Sequence, residues 1–184
     1  MSNQITSQVL GQLVQDEQFP DWWKKEEVPV PFFDGKKLPV IFSDFEPEED
    51  SAFLADADAA LANFFALGSS YRESVSHLVH KNCRDFLEAI GFDEDYQDMW
   101  DIEDENEIWQ FVHPEEIYVS RRPYNDHDVY VQVTCECDWE QEHGLQLVFR
   151  QGKKITRVSD QDGHLTEADA YGKPDDQDEL LSQF

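Results

Sequence analysis

The sequence predicts an α+β fold, in which N-terminal helices and an edge hairpin pack with a C-terminal antiparallel meander. Three observations predict it. Apolar residues recur every three or four positions from Phe53 to Phe65 and from Val75 to Ile90, the period of a helix with one buried face. From Ile117 onward the period falls to two, as on a strand with one face covered. Ahead of both, Asp34-Gly35 stands between two apolar runs, and glycine tolerates the positive φ of a tight hairpin turn.

Taken in order, Ile5, Val9, Leu10, Leu13 and Val14 have helical spacing, so this stretch reads as a short amphipathic helix that Phe19-Pro20 ends. Val28–Phe33 and Lys37–Phe42 form the hairpin. Pro29, Pro31 and Pro39 cannot donate ladder hydrogen bonds, which assigns its strands to a sheet edge. The first long helix is expected to start near Pro47, with Ser43 or Asp44 at the cap and Glu48, Glu49 and Asp50 in the first turn, where negative charge suits the helix dipole. Gly68 ends it. Ser70 with Glu73 forms a capping-box pattern for a second helix that Gly91 stops, and the two helices read as an antiparallel pair. Residues 93–107 are dominated by acids and read as a loop with a short helix. Strands follow at Ile117–Val119, at Val129–Cys137, at Leu145–Phe149 and, after a turn at Gln151-Gly152, at Lys153–Val158.

The chain of 184 residues carries 14 Lys+Arg against 41 Asp+Glu, a formal net charge of −27. Its 40% hydrophobic and 13% aromatic content is enough to build a core despite that charge. Such a surface repels nucleic-acid phosphates and anionic membranes. It suits a basic protein or metal cations, or it serves solubility alone. Three cysteines, Cys83, Cys135 and Cys137, make an odd count and no disulfide framework. Met1 to Val14 shows no basic segment followed by an apolar one, and no apolar run is long enough to cross a bilayer, so a soluble, cytoplasmic protein is expected. We read one α+β domain over residues 1–172, with 93–107 as the place for a seam between halves, then a flexible acidic tail, 173–184.

Several constellations invite chemistry. Cys135 and Cys137 project from one face of a strand, with His143 as the nearest third ligand for a metal; the competing reading is a pair of core thiols. Asp160 and Asp162 lie in a stretch resembling a calcium loop, but Val158 and Asp169 fall where such loops need an oxygen ligand and a Glu. The alternative there is an Asx-rich turn leading into a short helix capped near Thr166. Cys83 sits three residues after His80, and His77 three before it, which is adjacency without an orienting third group. Arg150, Lys153, Lys154 and Arg157 share one hairpin, and the acidic 93–107 segment is their expected intramolecular or dimer contact. Trp139 follows a strand among acids; exposed, it would anchor a basic partner together with Glu140, Glu142 and His143, and buried, it would be core.

The run Cys135-Glu136-Cys137-Asp138-Trp139, then Glu142-His143-Gly144, then Leu145–Phe149, Gly152 and Asp162-Gly163, resembles a family of bacterial domains of unknown function. Phe33–Pro39 and Ala59–Phe64 are similar to longer members. The resemblance implies no activity. Some relatives resemble immunity or accessory proteins of toxin systems. Gly144 would permit a special backbone angle there, and Glu142 could bond the turn's amides.

The expected function is therefore non-catalytic binding of a basic protein, immunity-like or accessory, without a cofactor. The alternative is a metal-binding protein or metal-dependent enzyme using the Cys135, Cys137 and His143 region.

Overall fold

The period-two stretches form strands where the pattern places them, and they organise the molecule. The computed structural model describes residues 3–184. Met1 and Ser2, the first residues of the stretch read for a leader and for the domain, lie outside the described residues. Eight strands form one sheet in sequential order: β1 (Gln4–Ser7), β2 (Gly11–Gln15), β3 (Trp23–Val30), β4 (Lys36–Phe42), β5 (Val112–Arg121), β6 (Val129–Cys137), β7 (Leu145–Arg150) and β8 (Lys154–Ser159). Neighbours are antiparallel except β4 and β5, which run parallel with Val40 opposite Ile117. A parallel pair needs a long crossover. Residues 43–111 supply it, with α1 (Phe53–Ala66), α2 (Ser69–Ser74), α3 (Ser76–Ile90) and α4 (Gln97–Trp100). The expected α+β class, with helices against a C-terminal antiparallel meander, is what the chain adopts.

One face of the sheet packs on the helices. Val131, Val133 and Cys135 from β6, Leu145, Leu147 and Phe149 from β7, and Ile117 and Val119 from β5 meet Phe53, Ala57, Leu61 and Phe64 of α1 and Val79, Cys83 and Leu87 of α3. Phe32 sits at the centre, edge-on to Phe149 at 5.5 Å and to Trp109 at 5.7 Å. Gly152 lets α1 approach: its φ of +65° turns β7 into β8 directly beneath Ala60, and Asn63 Nδ2 donates to Gln151 O at 3.0 Å.

The opposite face of β6–β8 is covered as well. Alternation predicts Tyr130 and Thr134 on a solvated face, yet both are buried, as are Gln146 and Val148. The cover is the C-terminal segment with α5 (Glu167–Tyr171): Ala168 and Leu181 pack on Tyr130 and Val148. The segment read as a flexible tail is thus docked. Arg122, 0% exposed, bonds Asp126, Asp169 and Asp175, and Asp178 accepts from Ala168 N and Leu181 N. The sequence shows acids there but not the buried arginine they meet.

Other expectations fail for identifiable reasons. Residues 5–14 form the β1–β2 hairpin instead of a helix. Ser7 Oγ accepts from Val9 N and Leu10 N, Gly11 turns at φ +75°, and Asp58 of α1 holds Ser7 Oγ and Gln8 N, so the stretch joins the sheet. The Asp34-Gly35 hairpin is present, with φ of 54° and 81°, but β4 is interior, and β1 and β8 are the edges. The prolines are tolerated locally: Pro39 lies opposite the bulge between Lys25 and Val28, and Pro31 opens a 3-10 turn. The first helix begins at Phe53, because Phe45 is buried and stacked on Phe53 at 4.4 Å and the chain must double back first. The second helix breaks at Val75, where Ser76 Oγ is engaged by Trp109 Nε1 at 2.8 Å and Asn106 at 2.7 Å, and Gly68 precedes it without a side-chain cap.

Candidate functional site

The turn after β6 shows what the expected binding residues do. Trp139 is 1% exposed, and its Nε1 donates to Asn82 Oδ1 of α3 at 3.1 Å, so it cannot anchor a partner. The chain reverses at Asp138, and the indole inserts under the helix. Glu140, not Glu142, bonds the turn: its Oε1 accepts from Glu142 N at 3.0 Å and His143 N at 3.3 Å. Gly144 has φ +63°, and a Cβ there would meet Gln161 Nε2 at 2.6 Å and Cys135 O at 2.7 Å. Gln161 Nε2 in turn donates to Cys135 O. The Glu-His-Gly element therefore clamps β6 to the loop after β8. Glu142 and His143 are exposed on its outside.

The thiols are core groups. Burial pushes the Cys83 thiol up to about 12 and the Cys137 thiol up to about 11, and it raises Cys135 as well. A thiolate is the form that binds metal or attacks a substrate, so this environment opposes both. His143 points to Glu140 at 3.5 Å from solvent and does not join Cys135 and Cys137. Asp162 is taken by Arg157 through both oxygens at 2.6 Å, while Asp160 is exposed. Thr166 Oγ1 accepts from Asp169 N and caps α5, as the Asx-turn reading expects. Among the described residues no three His, Cys, Asp or Glu side chains are grouped to hold a metal ion. His80 faces Glu105 at 3.8 Å, and among the described residues Cys83 Sγ makes no hydrogen bond to His80 or to any other base.

The four cations of the β7–β8 hairpin do not meet the 93–107 segment. Arg150 bonds Asp128 at 2.7 Å and lies 4.5 Å over Phe184; Arg157 holds Asp162; Lys154 reaches Gln183 O; Lys153 reaches Gln151. Nearby Asp128 and Asp162 take the two arginines, and the two lysines end on the Gln183 carbonyl and the Gln151 side chain.

The consequence is a surface the sequence reading treated as internally neutralised. Residues 85–112 contain 11 Asp and Glu and no Lys, Arg or His. All these carboxylates are on exposed residues. Among the described residues, only Asp85, with Lys81, and Glu105, with His80, form ion pairs. At the end of α3, where Gly91 stops the helix at φ 85°, Phe92 is 67% exposed and Ile90 50%. Ile90 was expected on the core face of the helix; here the helix ends and the sheet no longer covers it. Phe92 lies 6.4 Å from Trp100, over whose ring the Arg84 guanidinium sits at 4.4 Å. The exposed Ile90 and Phe92, together with the exposed carboxylates of 85–112, of which all but Asp85 and Glu105 form no ion pair among the described residues, make the candidate site. Phe92 was missed because a single aromatic after a helix-ending glycine carries no periodicity; the cation-free 28-residue span was the legible signal.

Fold and surface together define an α+β sheet protein with a carboxylate crown. The chain belongs to the family described as Domain of unknown function (DUF6985), whose pattern matches residues 9–165. That span holds the crown and most of the sheet and ends just before α5. No curated protein and no solved structure matches the chain. Among the described residues no helix is long and apolar enough to cross a membrane.

Proposed function

We propose that this protein binds a basic protein partner through the 85–112 crown, with Phe92 and Ile90 as apolar anchors. The observation that supports the reading is the 11 exposed carboxylates in a 28-residue span with no Lys, Arg or His, which also carries two exposed apolar side chains. Carboxylates of one sign raise the encounter rate with an oppositely charged surface, and a central aromatic that loses water on docking supplies affinity. The immunity-like or accessory role implied by the sequence resemblance is one form of such binding.

A photo-crosslinkable residue at position 92 tests it in cells of the native host. The expected result is one reproducible adduct with a basic protein, lost in a D93N/E94Q/D95N triple variant and weakened as salt rises. An adduct that is acidic, or that persists unchanged in the triple variant, defeats the reading.

A further inference from the structure

On the face away from the helices, strand register places Val14, Lys24, Ile41 and Tyr118 in one row across β2–β5. There, three aromatic rings border a groove of about 190 Å³. Phe19 stacks on Trp22 at 4.7 Å and 28°, and Trp22 meets the Tyr118 ring edge-on at 5.6 Å. Phe19 is 48% exposed, and the buried Ile41 lies at the base.

The wall carrying Phe19 and Trp22 is held in place before any ligand arrives. Asp16 N donates to Trp22 O and Trp22 N to Phe19 O, both at 2.9 Å, and Asp16 Oδ1 accepts from Gln18 N and Phe19 N. A preformed wall avoids the ordering cost of binding.

The charges choose the occupant. Asp16 and Glu116 line the groove, and neither forms an ion pair among the described residues. Glu116 Oε2 accepts from Tyr118 Oη at 2.7 Å, which leaves its other oxygen for a ligand. The one lining cation, Lys24, turns its Nζ to Glu26 at 3.1 Å. Ring faces carry negative charge, so three rings with two carboxylates favour a cation, and a flat one that stacks above all. A second copy of this chain, with its own −27, is repelled.

We infer that this groove takes the guanidinium of an arginine side chain on the basic partner, stacked on Trp22 and bonded to Glu116. The inference rests on the basic-partner reading and adds a second, residue-specific contact on a different surface from the crown.

Titration of the whole protein with acetyl-tri-arginine amide, followed by the Trp22 indole N–H signal in a proton–nitrogen NMR spectrum, tests it. The Trp22 signal should shift, and the near-isosteric Glu116→Gln should weaken that binding about fivefold. The neutral analogue acetyl-tri-citrulline amide should leave the signal in place. An unmoved Trp22 signal with shifts confined to Phe92–Asp95 removes the groove and keeps the crown. Equal shifts with the citrulline peptide show a groove for uncharged planar groups and overturn the arginine assignment. No binding of tri-arginine anywhere at low salt overturns the groove and the basic-partner reading together.

Discussion

At the scale of single residues, two glycines with the same backbone sign separate strain from contact. Gly152 and Gly163 have φ of +65° and +80°, but a Cβ on Gly152 would lie 1.9 Å from Ala60 O, whereas one on Gly163 meets nothing within 4 Å. Gly163→Ala should cost about 1 kcal/mol of left-handed strain, and Gly152→Ala should cost about 3 kcal/mol or more, because α1 must lift from the β7–β8 turn. Urea melts of the two variants measure the gap, and equal losses would refute the close approach of α1. The thiols give a second test. With burial holding Cys83 at about 12 and Cys137 at about 11, Ellman's reagent at pH 8 should find no fast-reacting thiol in the native protein and three after denaturation. A fast thiol in the native state would reopen the metal and nucleophile readings. Sequence spacing placed Cys135 and Cys137 on the face of Val131 and Val133, and that face is core. It could not place Trp139, because whether a chain reverses inward or outward after a strand depends on what lies above it, here Asn82 of α3.

At the scale of elements, the C-terminal segment acts as a latch whose strength depends on pH. Arg122 hydrogen-bonds hold the Asp169 and Asp175 carboxyls below the ordinary value of 3.8. A depressed folded-state pKa means that the unfolded chain binds the proton more tightly. The latch is then at full strength above about pH 3.8 and is lost as pH falls through the lower folded values. Tyr171 and Phe184, on or beyond α5, should therefore sharpen in mobility before the helix-side core melts on acidification. Arg122→Met, which leaves three carboxylates facing each other, should cost about 3 kcal/mol at pH 7, toward the low end for a buried ion pair since Asp169 and Asp175 are partly solvated. A Tm within about 2 °C of the parent would contradict a structural role for the cluster. Elements with long, pure periods were legible: β6 and β7 fall where alternation puts them, and α1 buries the stripe of Phe53, Ala57, Leu61 and Phe64. The stretch 5–14 was not, because five apolar residues in ten satisfy a helix as well as a hairpin. The Ser7 turn, Gly11 and the Asp58 carboxylate, 50 residues on from Gln8, together favour the hairpin. The latch was illegible for the same reason, since its arginine lies 47 residues before its α5 partner Asp169 and 53 before its tail partner Asp175.

At the scale of the whole molecule, the same charge that suits a basic partner strains the fold. A chain at −27 repels itself, and its compact state concentrates that repulsion. Most of its cations are consumed in local pairs such as Arg121 with Asp50 and Asp56, Arg150 with Asp128 and Arg157 with Asp162. The surplus therefore sits unpaired on the crown and elsewhere on the surface. Added salt shortens the Debye length from about 30 Å at 0.01 M to about 8 Å at 0.15 M, which relaxes repulsion between distant carboxylates far more than it weakens pairs in direct contact. The melting temperature should therefore rise with sodium chloride over this range, although salt bridges alone would make it fall. Partner binding through the crown should move the opposite way, with affinity dropping over the same range. The two slopes have one cause, so the D93N/E94Q/D95N triple variant should flatten both: a higher Tm at low salt and weaker binding. A variant that loses binding without gaining low-salt stability would show that those carboxylates are already compensated in the free protein. The crown would then be a paired surface and not a waiting one.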